Sequence, residues 1–501
     1  MINRVASWFF QQRFSQIEKF MKEPAQAQKA VFDYLLQAAK NTEFGKKYGF
    51  ADIKTPAQFA EQVPISTYEQ LYPYIERCLK GEQNVLWYTK IDCFSKSSGT
   101  TNARSKYIPV STESLQDCNY KAGKDMLAMY ANNYPNTQIF TGKALSIGGS
   151  QSQNPWNEQT YVGDVSALLM QNLPFWAEYL RSPTLEIALM DKWEQKIEAI
   201  AKHSSKENIT TLAGVPTWTI SIIEKVLEIT GKNNILDVWQ NLECFYHGAV
   251  SFVPYRELFK KLIPSQKMNY LETYNASEGF FALQDQANSD DLLLLLDHGV
   301  YYEFVPAEHS ESENPKAITL NEVELGKNYA LIISTNAGLW RYKIGDTVKF
   351  TSISPYRIKI SGRTKHFINA FGEEVIVENA DYAIGQACLK TNAIITDFTA
   401  APVYISENQK GGHEWLIEFE QQPSDFEVFK NILDESLRQI NSDYDAKRYM
   451  DIALIAPKIH ILPKGTFYGW LKKKNKLGGQ HKVPRLSNHR EYVEDILQML
   501  N

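Results

Sequence analysis

A chain of 501 residues with 44% apolar and 22% charged residues has globular composition and is too long for one compact core, so at least two domains are expected. A net charge of −5 excludes the broad basic surface of a general nucleic-acid binder. The five cysteines, Cys78, Cys93, Cys118, Cys244 and Cys388, are scattered and form no CxxC pair, which argues against a disulfide framework or zinc site and for a reducing cytoplasm.

The apolar stretch from Val5 to Phe10 is too short for a signal-peptide core, and no later run reaches the roughly 18 apolar residues of a membrane span. A soluble, unprocessed chain that makes no membrane contact is expected. Residues 24 to 40 read as a helix, with Pro24 in the first turn, Ala27, Val31, Leu35 and Ala38 on one face, and Gly45 beyond the end. Short apolar runs then alternate with helical patterns: Ala144 to Ile147, Leu212 before Gly214, and Cys244 to Tyr246 before Gly248. That alternation predicts an α/β body. Leu292 to Leu296 and Val300 to Val305 flank Asp297, His298 and Gly299, a pattern that reads as a hairpin. Strand-like runs follow at Ala317 to Leu320 and Tyr329 to Ser334. Beyond Arg363 the units become smaller: Ala393 to Ile395, Trp415 to Phe419, a helix from about Ser424 to Ile440, and Ile459 to Leu462. A domain boundary near 346 to 366 is expected.

Four boxes carry chemistry. In Ser97-Ser98-Gly99-Thr100-Thr101, followed by Asn102 to Lys106, hydroxyls and backbone N–H groups could wrap phosphate oxygens. The box lacks Walker A spacing, and a plain turn has the same composition. Tyr274-Asn275-Ala276-Ser277-Glu278-Gly279 offers an aromatic to stack on a base and a carboxylate to hold a phosphate-bridging magnesium ion, or else a strand end with a surface Glu. In Arg341-Tyr342-Lys343-Ile344-Gly345-Asp346, Asp346 at a strand end suits the vicinal hydroxyls of a ribose, though a Gly-Asp turn explains it equally. The basic stretch Gly469 to Arg485 contains Lys472, Lys473, Lys474 and Lys476, which read as a solvated face. Lys482, after Gly478 and Gly479, reads as a mobile cation for a phosphate site.

In this order the boxes resemble the Gretchen Hagen family of auxin-responsive acyl-acid amido synthetases, within the adenylate-forming superfamily, over nearly the whole chain. The resemblance implies a large N-terminal adenylate-forming domain of mixed sheets and helices (1–355) and a smaller, mobile α+β C-terminal domain (356–501). It makes Ser97, Ser98, Gly99, Thr100 and Thr101 the phosphate loop, Tyr274 to Glu278 the adenine and magnesium box, and Asp346 the ribose ligand beside Tyr342. Lys482 becomes the adenylation lysine, and Arg363 and Lys365 of Gly362-Arg363-Thr364-Lys365 become further nucleotide contacts. The family often has Gly at Ala103, Arg at Lys343 and Ser at Ala276; the first departure stiffens the loop, the others touch the site's edge, and none removes a group assigned to the chemistry. The implied reaction is ATP- and magnesium-dependent activation of a small carboxylic acid as acyl-AMP, followed by transfer to an amine, typically an amino acid, by a monomer. An acyl pocket near Gly214 to Trp218 follows by analogy. The rivals are a coenzyme A ligase and a catalytically silent nucleotide-binding regulator.

Overall fold

The protein is described here by a computed structural model. It covers residues 2–500 except 98–105, 150, 154–156, 158–159, 174, 191, 249–251, 288, 311, 364–366, 369, 371–372, 374, 405–410, 442–443, 446–447, 449–453, 475 and 477–481. The chain forms two compact units: Met1–Ala249 with Gln266–Lys359, and Val250–Ser265 with Ile360–Asn501.

The first unit is built on a sheet whose twelve described strands run Ile318–Thr319, Val300–Pro306, Asn328–Thr335, Tyr342–Ile353, Tyr356–Arg363, Leu292–Leu294, Gly279–Gln284, Asn269–Ala276, Cys244–Gly248, Ile209–Gly214, Lys143–Ser146 and Arg181–Ser182. The end from Asn269–Ala276 to Arg181–Ser182 is parallel and the other end is antiparallel. A separate sheet pairs Lys106–Val110, Cys93–Ser97, Tyr161–Gly163 and Gln151–Gln153. This is the α/β body that the alternating runs imply.

Helix Pro24–Ala39 forms as expected, with proline in its first turn. It corrects another expectation. Leu292–Leu294 and Val300–Pro306 do not pair as a hairpin; the first lies beside Gly279–Gln284 and the second beside Asn328–Thr335. Gln28 takes over the backbone groups near the reversal: its amide donates to Leu296 O (2.8 Å) and Val300 O (3.0 Å) and accepts from Tyr302 N (2.9 Å). Since a buried polar backbone needs partners of some kind, a buried glutamine replaces the hairpin ladder. The N-terminal residues, read only as a short apolar stretch, form helix Ile2–Lys22. It buries Phe10, Ile17 and Phe20, and its Arg13 pairs with Asp125 at 2.7 Å. No helix among the described residues is long and apolar enough to cross a membrane.

In the second unit, Ile394–Val403, Gly412–Gln421 and Lys458–Leu462 form a three-stranded sheet. Alternation along the central strand gives it two apolar faces. Trp415 and Ile417 pack with Phe429, Leu433 and Leu437 of helix Phe426–Ile440, while Leu416 packs with Phe467, Trp470 and Val483. The unit is α+β, as implied. The segment 250–265 leaves the first unit after Cys244–Gly248 and returns as Asn269–Ala276, and in between it packs with the second.

Candidate active site

Two of the four boxes meet in the first unit. Asn269–Ala276 and Gly279–Gln284 form a hairpin with Ser277 and Glu278 at its turn. The ladder skips Phe281, so the pair carries a bulge beside Tyr274. Bulges sharpen twist and re-aim side chains. Tyr274 is buried edge-on to Phe281 at 5.0 Å, and its hydroxyl donates to Asp346 Oδ2 at 2.8 Å.

Asp346 reaches that point through a second, larger bulge. Ala330 faces Thr347 and Ile332 faces Lys343, so Ile344, Gly345 and Asp346 together oppose Leu331. Gly345 sits at φ +94°, where a side chain would be strained. Asp346 therefore lies inside strand Tyr342–Ile353 rather than at a strand end, and the bulge lifts it out of the ladder. The two strands are four places apart in the sheet order, about 19 Å in a flat sheet at ordinary strand spacing. A 2.8 Å contact requires the sheet to fold over between them. Between them, Leu292–Leu294 meets Tyr356–Arg363 through two register pairs, Leu292 with Ile358 and Leu293 with Arg357.

Around this contact, Ser277 is buried and its hydroxyl has no hydrogen-bond partner among the described residues, Glu278 is half-buried at the turn, Asn275 is exposed and Ala276 half-buried. An orphaned buried hydroxyl next to a turn carboxylate suits a polar ligand. No cluster of three or more metal-ligating side chains occurs among the described residues. Glu278 alone still fits magnesium, which keeps several waters and needs only one or two carboxylates beside substrate phosphates.

Ser98, Gly99, Thr100 and Thr101 of the first box lie outside the described residues. On either side of them, Ser97 and Lys106 face each other in register. Lys106 then donates to the Tyr342 hydroxyl at 3.4 Å and lies over the rings of Tyr68 (5.5 Å) and Tyr342 (5.9 Å). It brings the first box to the third, a role that the sequence reading did not give it; a lysine at the end of a hydroxyl-rich loop was the available signal.

Arg341, quoted in the third box, is a buried structural residue. At φ +42°, its guanidinium binds Glu303 through two 2.9 Å contacts and the carbonyls of Ala60 (3.0 Å) and Val63 (2.6 Å). Just before it, buried Trp340 packs edge-on to Phe50 at 4.7 Å and donates to Leu86 O at 3.1 Å, fixing where the Asp346 strand begins. The signal for Glu303 was a lone carboxylate in the apolar run Val300–Pro306, which needs a buried cation.

Lys482, Arg363 and Lys365 belong to the second unit. Arg363 ends strand Tyr356–Arg363, and Lys365 lies outside the described residues. Lys482 is half-exposed; after it Val483 is buried, Pro484 O accepts from Thr399 Oγ1 at 2.6 Å, and Leu486 bridges Ala400 in parallel. Lys472, Lys473, Lys474 and Lys476 are exposed, as a solvated face should be.

The GH3 family N-terminal domain matches residues 13–268, its central domain 293–363 and its C-terminal domain 378–491. The indole-3-acetic acid-amido synthetase GH3.3 of Arabidopsis thaliana is 23% identical over 553 residues, covering 94% of this chain and 90% of that protein. The jasmonoyl-L-amino acid synthetase JAR6 of Nicotiana attenuata is 22% identical and covers 100% and 97%. Among solved structures, the GH3.15 acyl acid amido synthetase bound to 2,4-DB superposes with a TM-score of 0.79 at 17% identity, covering 97% of this chain and 95% of that one. A 2-hydroxyisobutyryl-CoA ligase gives 0.62 at 12% identity over 95% and 92%. At such identities the structures show a shared fold alone. With three successive domain matches from residue 13 to residue 491, the chain belongs to the GH3 family.

Proposed function

We propose that this chain is an AMP-forming ligase that activates a small carboxylic acid with ATP and passes the acyl group to the amine of an amino acid. The observation that carries the reading is the 2.8 Å hydrogen bond between Tyr274 and Asp346, which joins the adenine box to the ribose box through two bulges. The names of the relatives, amido synthetases of indole-3-acetic and jasmonic acids, favour an amine over a thiol acceptor.

Asp346 accepts hydrogen bonds from the ribose hydroxyls, the Tyr274 ring borders the base, and the loop Ser97 to Thr101 holds the phosphates. Magnesium, held by Glu278, supplies charge neutralisation at the phosphates. A carboxylate oxygen of the acid attacks the α-phosphorus in line and the bond to pyrophosphate breaks. Lys482 stabilises the charge that develops on the α-phosphoryl oxygens. The amine nitrogen then attacks the acyl carbon, the acyl–phosphate C–O bond breaks, AMP leaves and the amine loses a proton. A small C-terminal domain, 356–501, turning between the steps would withdraw Lys482 and admit the acceptor. The enzyme works as a monomer in the cytoplasm, a reducing compartment that suits five unpaired cysteines.

Pyrophosphate exchange over a panel of carboxylic acids, followed by an acceptor screen with amino acids and coenzyme A, tests the reading. Exchange that depends on one class of acid, and an amide product, are expected. No exchange with any acid would leave a nucleotide-binding regulator, and a thioester product would move the chain to coenzyme A ligation. Lys482→Ala should slow adenylation by about 10² to 10³ while sparing amide formation from supplied acyl-AMP. Single-turnover kinetics of each half-reaction measures both effects.

A further inference from the structure

Within the second unit, the chain just after Lys482 is held by a buried cluster that includes a residue from far upstream. Arg485 is buried, and its guanidinium donates to the carboxylate of Asp397 and to Phe398 O (3.3 Å) while lying 4.4 Å above the Phe398 ring. Its other terminal nitrogen donates to the Tyr255 hydroxyl at 2.6 Å, across 230 residues of sequence. Tyr255 belongs to the excursion 250–265 and is fully buried. Its hydroxyl also reaches Asp397 Oδ1 at 3.5 Å, closing a Tyr–Arg–Asp triangle.

The backbone around Arg485 forms a short parallel strap on strand Ile394–Val403. Ala400 N donates to Arg485 O at 2.9 Å and Ser487 N donates to Ala400 O at 3.1 Å. Lys482 is thus the last half-exposed residue before a strap whose side-chain anchor is Arg485. Phenylalanine would fill the Tyr255 site equally well. The hydroxyl's distinct contribution is to accept from a buried guanidinium, and a buried donor left without an acceptor costs its full desolvation.

We propose that Tyr255 is a positioning residue for Lys482: through Arg485 it fixes the strap 483–487, and so the point from which the lysine projects. The proposal rests on the reading that Lys482 serves adenylation. A catalytic group displaced by about 1 Å can lose as much as 10²-fold in rate, so a single lost hydrogen bond at the anchor is enough to register.

Tyr255→Phe in the full chain is the test, with Arg485→Lys as a second variant that keeps the charge but loses the fork. Both should slow pyrophosphate exchange by roughly 10-fold to 100-fold with little change in the KM for ATP. Both should leave amide formation from supplied acyl-AMP intact and speed hydrogen exchange at the Ser487 amide. On a Lys482→Ala background, Tyr255→Phe should slow adenylation no further. A structural role alone would damage both half-reactions or add to Lys482→Ala, and either result overturns the proposal. So does full-speed adenylation by Tyr255→Phe where Lys482→Ala is slow, an outcome that leaves the ligase reading standing. If Lys482→Ala itself is harmless to adenylation, both ideas fall together.

Discussion

Tyr274 spends its hydroxyl on the Asp346 carboxylate rather than on solvent, which couples the two side chains. Tyr274→Phe keeps the ring against Phe281 and removes only the donor. If the phenol holds Asp346 in place for the ribose, ATP affinity measured by titration calorimetry should fall about tenfold, or roughly 1.4 kcal/mol. Should the phenol merely compete with the ribose, affinity would rise. Arg341 belongs to stability instead. Burial pushes the Glu303 carboxyl above its usual range, and the adjacent Arg341 opposes that shift. Arg341→Gln would strand this carboxylate beneath the third box. The expected loss is about 3–5 kcal/mol in urea unfolding, far more than an exposed arginine would cost. At this scale the sequence singled out Tyr274, Glu278 and Asp346 as candidates but not which box residues serve as supports, because arginine in a motif looks the same whether it faces a ligand or a buried glutamate.

Bulges do at the level of the strand what the motif alone could not foretell. The motif reads as a strand end or a Gly-Asp turn, whereas Asp346 lies inside a strand where three residues oppose one and its carboxylate meets Tyr274. Gly345 makes that possible at φ +94°. Gly345→Ala should cost at least about 1 kcal/mol of stability. It should also weaken ATP binding without touching a ligand-facing group. Equal ATP affinity in the variant and the parent would mean that the bulge can re-form around a side chain. Strand and helix positions were legible from periodicity: Asn328–Thr335, Gly412–Gln421 and Phe426–Ile440 fall where the apolar patterns put them. Pairing partners were not. The Asp297-His298-Gly299 signal marks a reversal, but Gln28, from a distant helix, decides that the flanking strands part company.

Across the whole molecule, acid should loosen the second unit through Glu414. Burial pushes this carboxyl up, but hydrogen bonds from Lys458, Arg490 and His460 outweigh burial and hold it at about 2, against an ordinary value of 4.5. Because the folded value is depressed, the stabilisation is complete above about pH 4.5 and disappears as pH falls toward 2. Urea midpoints between pH 7 and 2.5 should therefore drop less steeply for Glu414→Gln than for the parent, starting from a lower value at pH 7. Parallel curves would exclude Glu414 as a source of acid sensitivity. At least two domains were expected from length alone, and the change of texture beyond Arg363 prompted a boundary near 346 to 366. The excursion 250–265 was illegible, since Phe252, Tyr255, Leu258 and Phe259 are as apolar as any core segment and nothing local says which core receives them. That excursion also imposes a timetable on biosynthesis. Tyr255 precedes Asp397 by 142 residues and Arg485 by 230. At about 5–20 residues per second, the ribosome takes roughly 7 to 28 s to deliver the first partner and 12 to 46 s to deliver the second. For that interval a nascent chain with much of its first unit already made carries an aromatic segment with nowhere to pack, a natural handle for a chaperone.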